Sequence, residues 1–415
     1  MNRRVVITGC GVVCAIGTSL QETEQALAAG RSGIRAFDAQ FDPHVCGSTP
    51  ARRPAARVPC IPGEDPAGYD RDLLDPVTRL ALIAGREACT QSRLLAEADP
   101  ELTAGVYFGT GMGGAASVQR GYVDMLGRRA APGPLTILSG MHNAPAAHLS
   151  MRLGLKGPNL TYSSACASSA TAIGEALIAI RSGRIDCVLA GGAEACIVAG
   201  VLRAWESLRV LAAVLECDPA ASCRPFSRDR EGIVLGEGAA MFVLETPASA
   251  QRRGAPILAE LLGYGATADA SHIAIPSVDG QARAMCSALR DAGLNAGEID
   301  YVNAHGTGTR VGDVCETLAI KQVFGERANA VPVSSTKSVH GHLLGASGAL
   351  EFAAGLIAIR GRFLPATMHL REPDPDCDLD YVANAPRHGV AVSRFMSNSF
   401  AFGGSNAVLI AGVFR

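Results

Sequence analysis

The chain has 415 residues, of which 48% are hydrophobic and 18% are charged, so it can bury a large core in two units or one large fold. Its 37 basic and 39 acidic residues nearly cancel, which argues against nucleic-acid binding and against an anionic membrane surface as partner. The 13 cysteines are scattered without a C-x-x-C pair, which argues against a zinc site or a redox dithiol and is typical of a reducing cytoplasm.

The start of the chain resembles a lipoprotein signal only faintly. The apolar run before Cys10 is shorter than the roughly 7–15 residues of a signal core, and glycines interrupt the residues after it. We expect no other segment to be long and apolar enough to span a bilayer, so the protein is predicted to be soluble and cytoplasmic, without membrane insertion.

In the first half, strands are predicted to alternate with helices. The expected elements are a strand Val5–Thr8 before a glycine-rich turn, a helix Ser19–Ala29, a surface excursion over 39–70, a helix Pro76–Ser92, a strand Gly105–Gly109, a helix Ala144–Leu153, a segment Pro158–Ser163 leading into Cys166 and a small-residue helix to Ile180, a strand Val188–Gly191, a polar loop 217–232 and a strand Ala239–Leu244.

The second half restarts this pattern, with a strand Ile257–Leu262 before a second G-x-G. The remaining elements are a helix Gln281–Ala292, strands Tyr301–Ala304 and Val331–Ser334, and a helix Gly345–Arg360. This alternation predicts an α/β fold with parallel strands. The echo between Gly9-Cys10-Gly11 and Gly263-Tyr264-Gly265 suggests a duplicated unit, with halves 1–253 and 254–415.

Cys166 lies between a predicted strand and a helix made almost wholly of Ala, Ser, Thr and Gly. The amides and the dipole at the start of such a helix would stabilise a thiolate and lower the pKa of the thiol. The same amides could hold an oxyanion. From this segment alone, an inert buried cysteine is an equally good interpretation.

Two further segments place histidines near glycines. His305 starts His-Gly-Thr-Gly-Thr at the end of a predicted strand, where α/β folds place catalytic groups, and a phosphate-binding loop is the weaker alternative. Lys337 and His342 lie in Ser-Thr-Lys-Ser-Val-His-Gly-His, before a glycine-rich helix. His340 and His342 could ligate a metal, but no third ligand has suitable spacing.

The last segment that stands out is Asn398-Ser399-Phe400-Ala401-Phe402-Gly403-Gly404. Aromatic residues joined to paired glycines suggest a loop that moves over a site. A plain turn between two strands is the alternative.

Together these segments resemble the elongating β-ketoacyl-acyl-carrier-protein synthases of fatty-acid and type II polyketide systems, over essentially the whole chain. Other matching segments are Gly191–Glu194, Arg224-Pro225-Phe226 and Asp229 through Gly238. The resemblance implies a thiolase-like fold with duplicated halves in five α-β-α-β-α layers. It also implies an acyltransferase that performs a decarboxylative Claisen condensation.

The resemblance assigns roles by position. It implies the nucleophile Cys166, the histidines His305 and His342, the lysine Lys337 with Glu316 as the acid that holds it, the oxyanion-hole amides of Cys166 and Phe402, the gate residues Phe400, Phe402 and Gly403, the acyl-pocket residues Met112 and Trp205, the phosphopantetheine-binding Thr307 and Thr309, and a monovalent Na⁺ or K⁺ site at Asn303, Ala304, Glu351, Ser397 and Asn398.

The resemblance also implies partners. Substrates would arrive on the 4′-phosphopantetheine of an acidic acyl carrier protein, with no redox cofactor, and Arg128, Arg129 and Arg209 are the candidate docking residues. The chain would be a homodimer, or a heterodimer with a chain-length factor. The alternative that this chain is itself a non-catalytic chain-length factor is disfavoured, because such factors lack the nucleophilic cysteine and Cys166 is present. A thiolase is also disfavoured, because it needs a second catalytic cysteine near the C-terminus. A serine hydrolase is disfavoured because the sequence has no G-x-S-x-G elbow.

Several positions depart from the family pattern, including the polar Glu206 and His142, and three of them bear on substrate choice. Ala401 replaces a glycine of the gating loop, Trp205 a phenylalanine, and His340 a small residue. Because these positions are close to where substrate is chosen, acyl preference is expected to differ from ordinary fatty-acid elongation. Fatty-acid elongation and a specialised polyketide or aryl-polyene pathway therefore both stay open.

Overall fold

The computed structural model describes residues 3–39, 51–59, 74–95 and 103–415. In these ranges ten strands form one sheet. From edge to edge they are β5 (Asn159–Tyr162), β4 (Ala104–Gly109), β6 (Cys187–Glu194), β8 (Gly238–Glu245), β1 (Val6–Cys14), β9 (Ala259–Ala268), β15 (Ser405–Gly412), β14 (Arg394–Phe400), β10 (Tyr301–Asn303) and β11 (Val333–Ser334).

The sheet consists of two five-stranded halves with the same connectivity. Counted within each half, the strand order from the edge inward is third, second, fourth, fifth, first. The halves meet where β1 pairs with β9 over Val6↔Glu260 and Ile7↔Ala259. The five further strands are β2 (Arg35–Ala39), β3 (Ala51–Ala56), β7 (Leu235–Gly236), β12 (Phe363–Leu364) and β13 (Arg387–His388).

Helices cover both faces of each half-sheet. They are α1 (Leu20–Ala28), α2 (Pro76–Gln91), α3 (Ala115–Tyr122), α4 (Thr136–Gly140), α5 (Ala144–Leu153), α6 (Ser168–Arg181), α7 (Ala199–Ser207), α8 (Pro247–Arg252), α9 (Val278–Ala292), α10 (Arg310–Phe324), α11 (Lys337–His340) and α12 (Ser347–Gly361).

The helices and half-sheets stack in five layers. Helices α2 and α5 pack on the outer face of the first half-sheet, and α9 packs on that of the second. Helices α6 and α12 lie between the half-sheets and contact each other. Gly348 permits this contact, because a Cβ there would lie 2.8 Å from the Cβ of Ala170. The architecture is the predicted thiolase-like α-β-α-β-α fold.

The first G-x-G segment is not the predicted turn, and the second is not a turn either. Strand β1 continues through Gly9 and Gly11, with a register shift between Ile7 and Gly9 in its pairing with β8, and β9 continues through Gly263 and Gly265. A Cβ at Gly11 would lie 2.0 Å from the carbonyl oxygen of Ala84 in α2. Helix α9 approaches the second segment in the same way, because a Cβ at Gly263 or Gly265 would lie 2.5 or 2.2 Å from a carbonyl oxygen of that helix. The repeated G-x-G segment therefore reflects the same close packing of a helix on a strand in both halves.

Helix α12 and the turn before it, Leu344–Gly361, are apolar and long enough to cross a membrane, contrary to expectation. However, 83% of this segment is buried inside the protein. Such burial is typical of the core helix of a globular domain. The predicted excursion over 39–70 contains strand β3, which pairs with β2 and β7, and its remaining residues lie mostly outside the described ranges.

Candidate active site

A cavity of about 480 Å³ contains the predicted histidines and cysteine. One ligand-type atom from each of Cys166, His305 and His342 lies within 4.8 Å of the other two. Phe400, Phe402, Thr307 and Thr309 also line the cavity, together with Arg209 at its mouth. The structure thus brings together four segments that are far apart in the sequence.

Cys166 sits in a strained turn at the start of α6. Ala165, immediately before it, has φ +48°, a left-handed conformation that costs a non-glycine residue about 1–2 kcal/mol. This turn directs the Cys166 sulfur toward His342, whose Nε2 is 3.1 Å away. The N–H of Phe402 also donates to this sulfur.

The thiol of Cys166 is protonated at rest. Burial raises its pKa to about 12, although the positive charge of Lys337 and the Phe402 N–H both act to lower it. The sequence-based expectation of a lowered pKa is wrong for this state, because desolvation outweighs those two effects. A neighbouring base is therefore needed to remove the proton.

The turn before α12 repeats the geometry of the turn before α6. Leu344 has φ +45°, and the 3₁₀ turn Leu344–Ala346 leads into α12 as Ala165–Ala167 leads into α6. Gly345 therefore takes the place of Cys166 in the second half. This second turn lies just after His342, whose Nδ1 is 2.7 Å from Oγ of Ser347.

His305 is held by Lys337. The Lys337 ammonium is 2.5 Å from the carbonyl oxygen of His305 and 3.3 Å from its Nδ1. Because an ammonium can only donate, Nδ1 is the acceptor and the proton of the neutral ring is on Nε2. The rings of His305 and His342 are 5.3 Å apart in an edge-to-face arrangement. Burial, followed by Lys337, lowers the pKa of both histidines well below the usual value, so both are neutral.

The acidic partner of Lys337 is Glu351, not Glu316 as predicted. Glu351 Oε1 forms an ion pair with Lys337, and both side chains are fully buried. Glu316 instead accepts the backbone N–H groups of His305 and Gly306, at 2.8 and 2.7 Å. Glu316 is therefore engaged with the backbone that carries His305.

The predicted gating loop is a tight turn between β14 and β15. The N–H of Ala401 donates to Ser405 and that of Gly404 to Ala401, at 2.9 and 3.0 Å. Gly403 and Gly404 have φ of +86° and +74°, values that favour glycine. Ala401 does not have a positive φ, so an alanine fits at this position of the turn without backbone strain.

Trp205 of α7 packs on Phe402, a predicted gate residue. Its ring centroid is 6.0 Å from that of Phe402. It lies against an apolar cluster that contains Cys166 and Leu202. Met112 instead lines a second, more apolar cavity of about 630 Å³, together with Val201. Val201 also packs against the apolar cluster that contains Cys166. Because Cys166 lines the first cavity and Val201 the second, this cluster lies between the two cavities.

Four of the five predicted cation ligands have a buried side-chain oxygen, and these four oxygens are referred to as the oxygen cluster. Asn303 and Ser397 are neighbours in the parallel ladder of β10 and β14, and Asn303 Nδ2 is 3.3 Å from the Glu351 carbonyl oxygen. Within the described ranges, four buried oxygens here have no hydrogen-bond partner: Asn303 Oδ1, Glu351 Oε2, Ser397 Oγ and Asn398 Oδ1. An all-oxygen set around a carboxylate fits a hard monovalent cation.

The hydroxyls of Thr307 and Thr309, which line the cavity, are 3.0 Å apart. Arg209 is an exposed residue of the same lining, whereas Arg128 and Arg129 lie outside it. Arg128 is paired with Asp124 on an exposed surface. The structure therefore places one of the three candidate docking arginines at the entrance.

Sequence reasoning missed three functional contacts. It did not find Glu351 as the partner of Lys337, although Glu351 is the one acidic residue in the apolar helix α12. It did not find the hydrogen bond between Ser347 Oγ and His342 Nδ1. It also missed the buried pair of Arg230 and Asp313, which hydrogen-bonds the backbone around Thr309.

Comparison with known proteins identifies the family. Residues 2–250 match the family described as "Beta-ketoacyl synthase, N-terminal domain", and residues 258–371 match the corresponding C-terminal domain. Nodulation protein E of Rhizobium meliloti (strain 1021) is 44% identical over 99% of both chains. The 3-oxoacyl-[acyl-carrier-protein] synthase 2 of Staphylococcus aureus (strain COL) is 37% identical over 99% of this chain and 98% of its own.

A solved structure gives the same answer. The ishigamide ketosynthase/chain length factor aligns with a TM-score of 0.90 at 34% identity, covering 100% of both chains. The chain therefore belongs to the β-ketoacyl synthase family, the acyl-transferring condensing enzymes that form carbon–carbon bonds.

Proposed function

We propose that the chain condenses malonyl-acyl-carrier protein with an acyl group held as a thioester on Cys166, with loss of carbon dioxide. The observation that carries this proposal is the convergence of Cys166 with two neutral histidines, one of which is oriented by a buried lysine. This arrangement offers a nucleophile and two hydrogen-bond donors without requiring a redox cofactor.

In the first step, Cys166 attacks the carbonyl carbon of the acyl-carrier thioester. The thiol proton passes to His342 Nε2, 3.1 Å away, and then to the departing carrier thiol as the carbon–sulfur bond breaks. The backbone N–H groups of Cys166 and Phe402 form the oxyanion hole that stabilises the tetrahedral intermediate.

In the second step, the malonyl group loses its carboxylate as carbon dioxide, and the bonding electrons form an enolate on the thioester. His305, with its proton on Nε2, donates a hydrogen bond to the enolate oxygen. His342, which has passed its extra proton to the carrier thiol, donates there in the neutral tautomer in which the Ser347 hydroxyl donates to Nδ1 and the ring proton is on Nε2. The enolate carbon attacks the acyl carbonyl. Cys166 departs as a thiolate and takes up one proton from solvent, which closes the proton balance of the reaction.

Lys337 fixes the tautomer of His305, and Glu351 keeps the lysine charged and in place. Glu316 holds the backbone of His305 through two N–H bonds. We assign Lys337, Glu351 and Glu316 positioning roles, because none of them needs to exchange a proton with substrate.

The substrate enters on a phosphopantetheine arm from an acyl carrier protein. Thr307 and Thr309 bind the arm at the mouth, and Arg209 meets the acidic carrier there. The acyl chain passes the apolar cluster beside Cys166, with Trp205 on one side, toward the cavity lined by Met112. Phe400, Phe402 and Gly403 form the gate that opens for the malonyl step.

The oxygen cluster binds a structural monovalent cation. Asn303, Glu351, Ser397 and Asn398 supply side-chain oxygens, and Ala304 is the remaining candidate through its backbone. A bound Na⁺ or K⁺ ion would compensate the second oxygen of Glu351, which Lys337 leaves without a partner.

The chain works as a dimer in the cytoplasm, with halves 1–253 and 254–415 in each subunit. Strand β5 lies at the edge of the sheet, with Asn159 and Leu160 exposed, so a second subunit can continue the sheet there. Nearby exposed apolar side chains support this surface: Ile137, Leu138, Met141 and Met151. The partner is a second copy or a chain-length factor.

Fatty-acid elongation and a specialised type II polyketide or aryl-polyene pathway both use this reaction. The specialised pathway is supported by the full-length alignment with the ishigamide ketosynthase/chain length factor, a structure whose ketosynthase is paired with a chain-length factor. The contact of Trp205 with Phe402 also favours it, because a bulky indole changes the shape available to the acyl chain.

Intact-mass spectrometry tests the proposal. The purified chain is incubated with a panel of acyl-carrier substrates, with and without a co-expressed partner. The expected result is one acyl adduct on Cys166 and condensation after malonyl-carrier protein is added. In Cys166→Ala both should disappear. An acyl adduct that persists in this variant would refute the assignment of the nucleophile.

A further inference from the structure

His340 is an additional buried histidine behind the active site. Its Nδ1 is 2.8 Å from the carbonyl oxygen of Gly341, and its Nε2 is 2.9 Å from the Thr336 hydroxyl oxygen. A carbonyl oxygen only accepts hydrogen bonds, so Nδ1 carries a proton. Burial, with the nearby charge of Lys337, lowers the pKa of His340 to about 3. The ring is therefore neutral, and Nε2 is an acceptor.

This tautomer sets the direction of the next hydrogen bond. Because Nε2 of His340 has no proton, the Thr336 hydroxyl donates to it. The Thr336 oxygen can then only accept from its other neighbour, Nδ2 of Asn303, at 3.4 Å. The same Nδ2 donates to the carbonyl oxygen of Glu351, at 3.3 Å.

The chain of hydrogen bonds fixes the amide of Asn303. If that amide were flipped, its oxygen would face the Glu351 carbonyl, which cannot donate, and the Thr336 hydroxyl, whose proton is already committed. The observed orientation places Nδ2 on these two acceptors. It leaves Oδ1 among the buried oxygens that lack a hydrogen-bond partner in the described ranges.

We propose that His340 is a positioning residue that, through Thr336, holds the Asn303 amide with its oxygen available to a monovalent cation. This inference rests on the cation site proposed above. It goes further by assigning cation affinity to a residue that contacts neither the cation nor substrate. Because Glu351 both borders the oxygen cluster and pairs with Lys337, His340 is linked to the charge that orients His305.

The experiment measures the thermal midpoint of the full chain against K⁺ concentration, with tetramethylammonium chloride keeping ionic strength constant. A cation that binds only the folded state raises the midpoint as ln(1 + [K⁺]/Kd), and a fit of the curve to this dependence gives Kd, the half-saturating concentration. The variants are His340→Met, which removes the acceptor, His340→Gln, which retains an acceptor and a donor, and Thr336→Val, which removes the linking hydroxyl.

The expected result is that His340→Met raises the half-saturating K⁺ concentration by about tenfold, the effect of losing an outer-shell partner. Thr336→Val should give a similar shift, the double variant no further shift, and His340→Gln a value near that of the unmodified chain. Thr336→Val keeps the test decisive if His340→Met does not fold.

Two contrary outcomes are distinguishable. If the unmodified chain has the same midpoint in K⁺, Na⁺ and tetramethylammonium, the cation site itself is refuted, and the inference with it. If the unmodified chain responds to K⁺ and the variants lower the midpoint without moving the half-saturating concentration, His340 has only a packing role.

Discussion

Lys337 and Glu351 form an ion pair in which both side chains are fully buried. Lys337 comes from the short helix α11 and Glu351 from the first turns of α12, so the pair joins the segment that holds His305 to the central layer of the fold. A buried pair is seldom a net source of stability, but a buried charge that loses its partner is strongly destabilising. The pair therefore serves to hold a positive charge beside His305.

A double-mutant cycle tests this pairing. Glu351→Met should lower the free energy of unfolding by about 3–5 kcal/mol, because it leaves the Lys337 ammonium buried without a partner. Lys337→Met/Glu351→Met should be more stable than Glu351→Met, since both charges are gone. Urea denaturation measures the four proteins of the cycle: the unmodified chain, Lys337→Met, Glu351→Met and the double variant. A cycle of Lys337→Met with Glu316→Gln is the control and should show the smaller coupling; a larger one there would contradict the assignment.

The sequence predicts the elements of the site better than their contacts. The nucleophile, both histidines, the lysine and the gating loop all line or border one cavity, because each lies in a local motif. The sequence misses the partner of Lys337, because that contact depends on how α12 packs across the sheet. The one local sign is that Glu351 is the single acidic residue of an apolar helix, which does not say what it pairs with, and Glu316 is the candidate that the resemblance implies.

Two backbone features are also beyond sequence reasoning. Ala165 and Leu344 adopt left-handed conformations that such residues rarely take, and tertiary packing imposes them. The glycines of β1 and β9 suggest turns, because glycine is common in turns. They instead permit the close approach of a helix, which becomes visible only when the helix is in place.

Gly265→Ala tests that close approach. A Cβ there would lie 2.2 Å from the carbonyl oxygen of Ala284, a backbone atom that cannot move without shifting α9. We expect the free energy of unfolding to fall by about 3 kcal/mol, the upper end for overpacking. Gly293→Ala, at the end of the same helix, is the control: with φ +66° and no atom within 4 Å, it should lose only about 1 kcal/mol. Equal losses in urea denaturation would contradict the repeated-packing interpretation.

Arg209→Glu tests docking at the cavity mouth. Reversal of this charge should raise KM for carrier-bound substrates about tenfold, more at low salt, because it repels an acidic carrier. KM for short pantetheine substrates should not change. Arg128→Glu is the matched control on a surface outside the cavity and should have the smaller effect. Equal effects of Arg209→Glu on both substrate classes would refute the docking role.

Buried histidines make stability depend on pH, and His340 isolates one contribution. Its pKa in the folded state, about 3, is below the ordinary value near 6.5, so the unfolded chain takes up the proton first as pH falls. The contribution of the neutral His340 to the free energy of unfolding is therefore fully present above pH 6.5 and decreases as the pH falls below it. Between pH 7 and 5 the unmodified chain should lose about 2 kcal/mol more than His340→Gln, measured by urea denaturation at each pH. Parallel curves for the two proteins would contradict a buried, neutral His340.

Trp205→Phe tests whether the indole limits the acyl chain. The smaller ring opens space beside the apolar cluster that contains Cys166, so longer acyl chains should be accepted. Each additional buried methylene gives about 0.8 kcal/mol, which corresponds to roughly a fourfold rise in kcat/KM. The measurement compares kcat/KM over a series of acyl-carrier substrates of increasing length, with Leu208→Ala, an exposed residue just after α7, as control. Equal changes at every length would mean that Trp205 acts through its contact with Phe402 and not through the volume of the pocket.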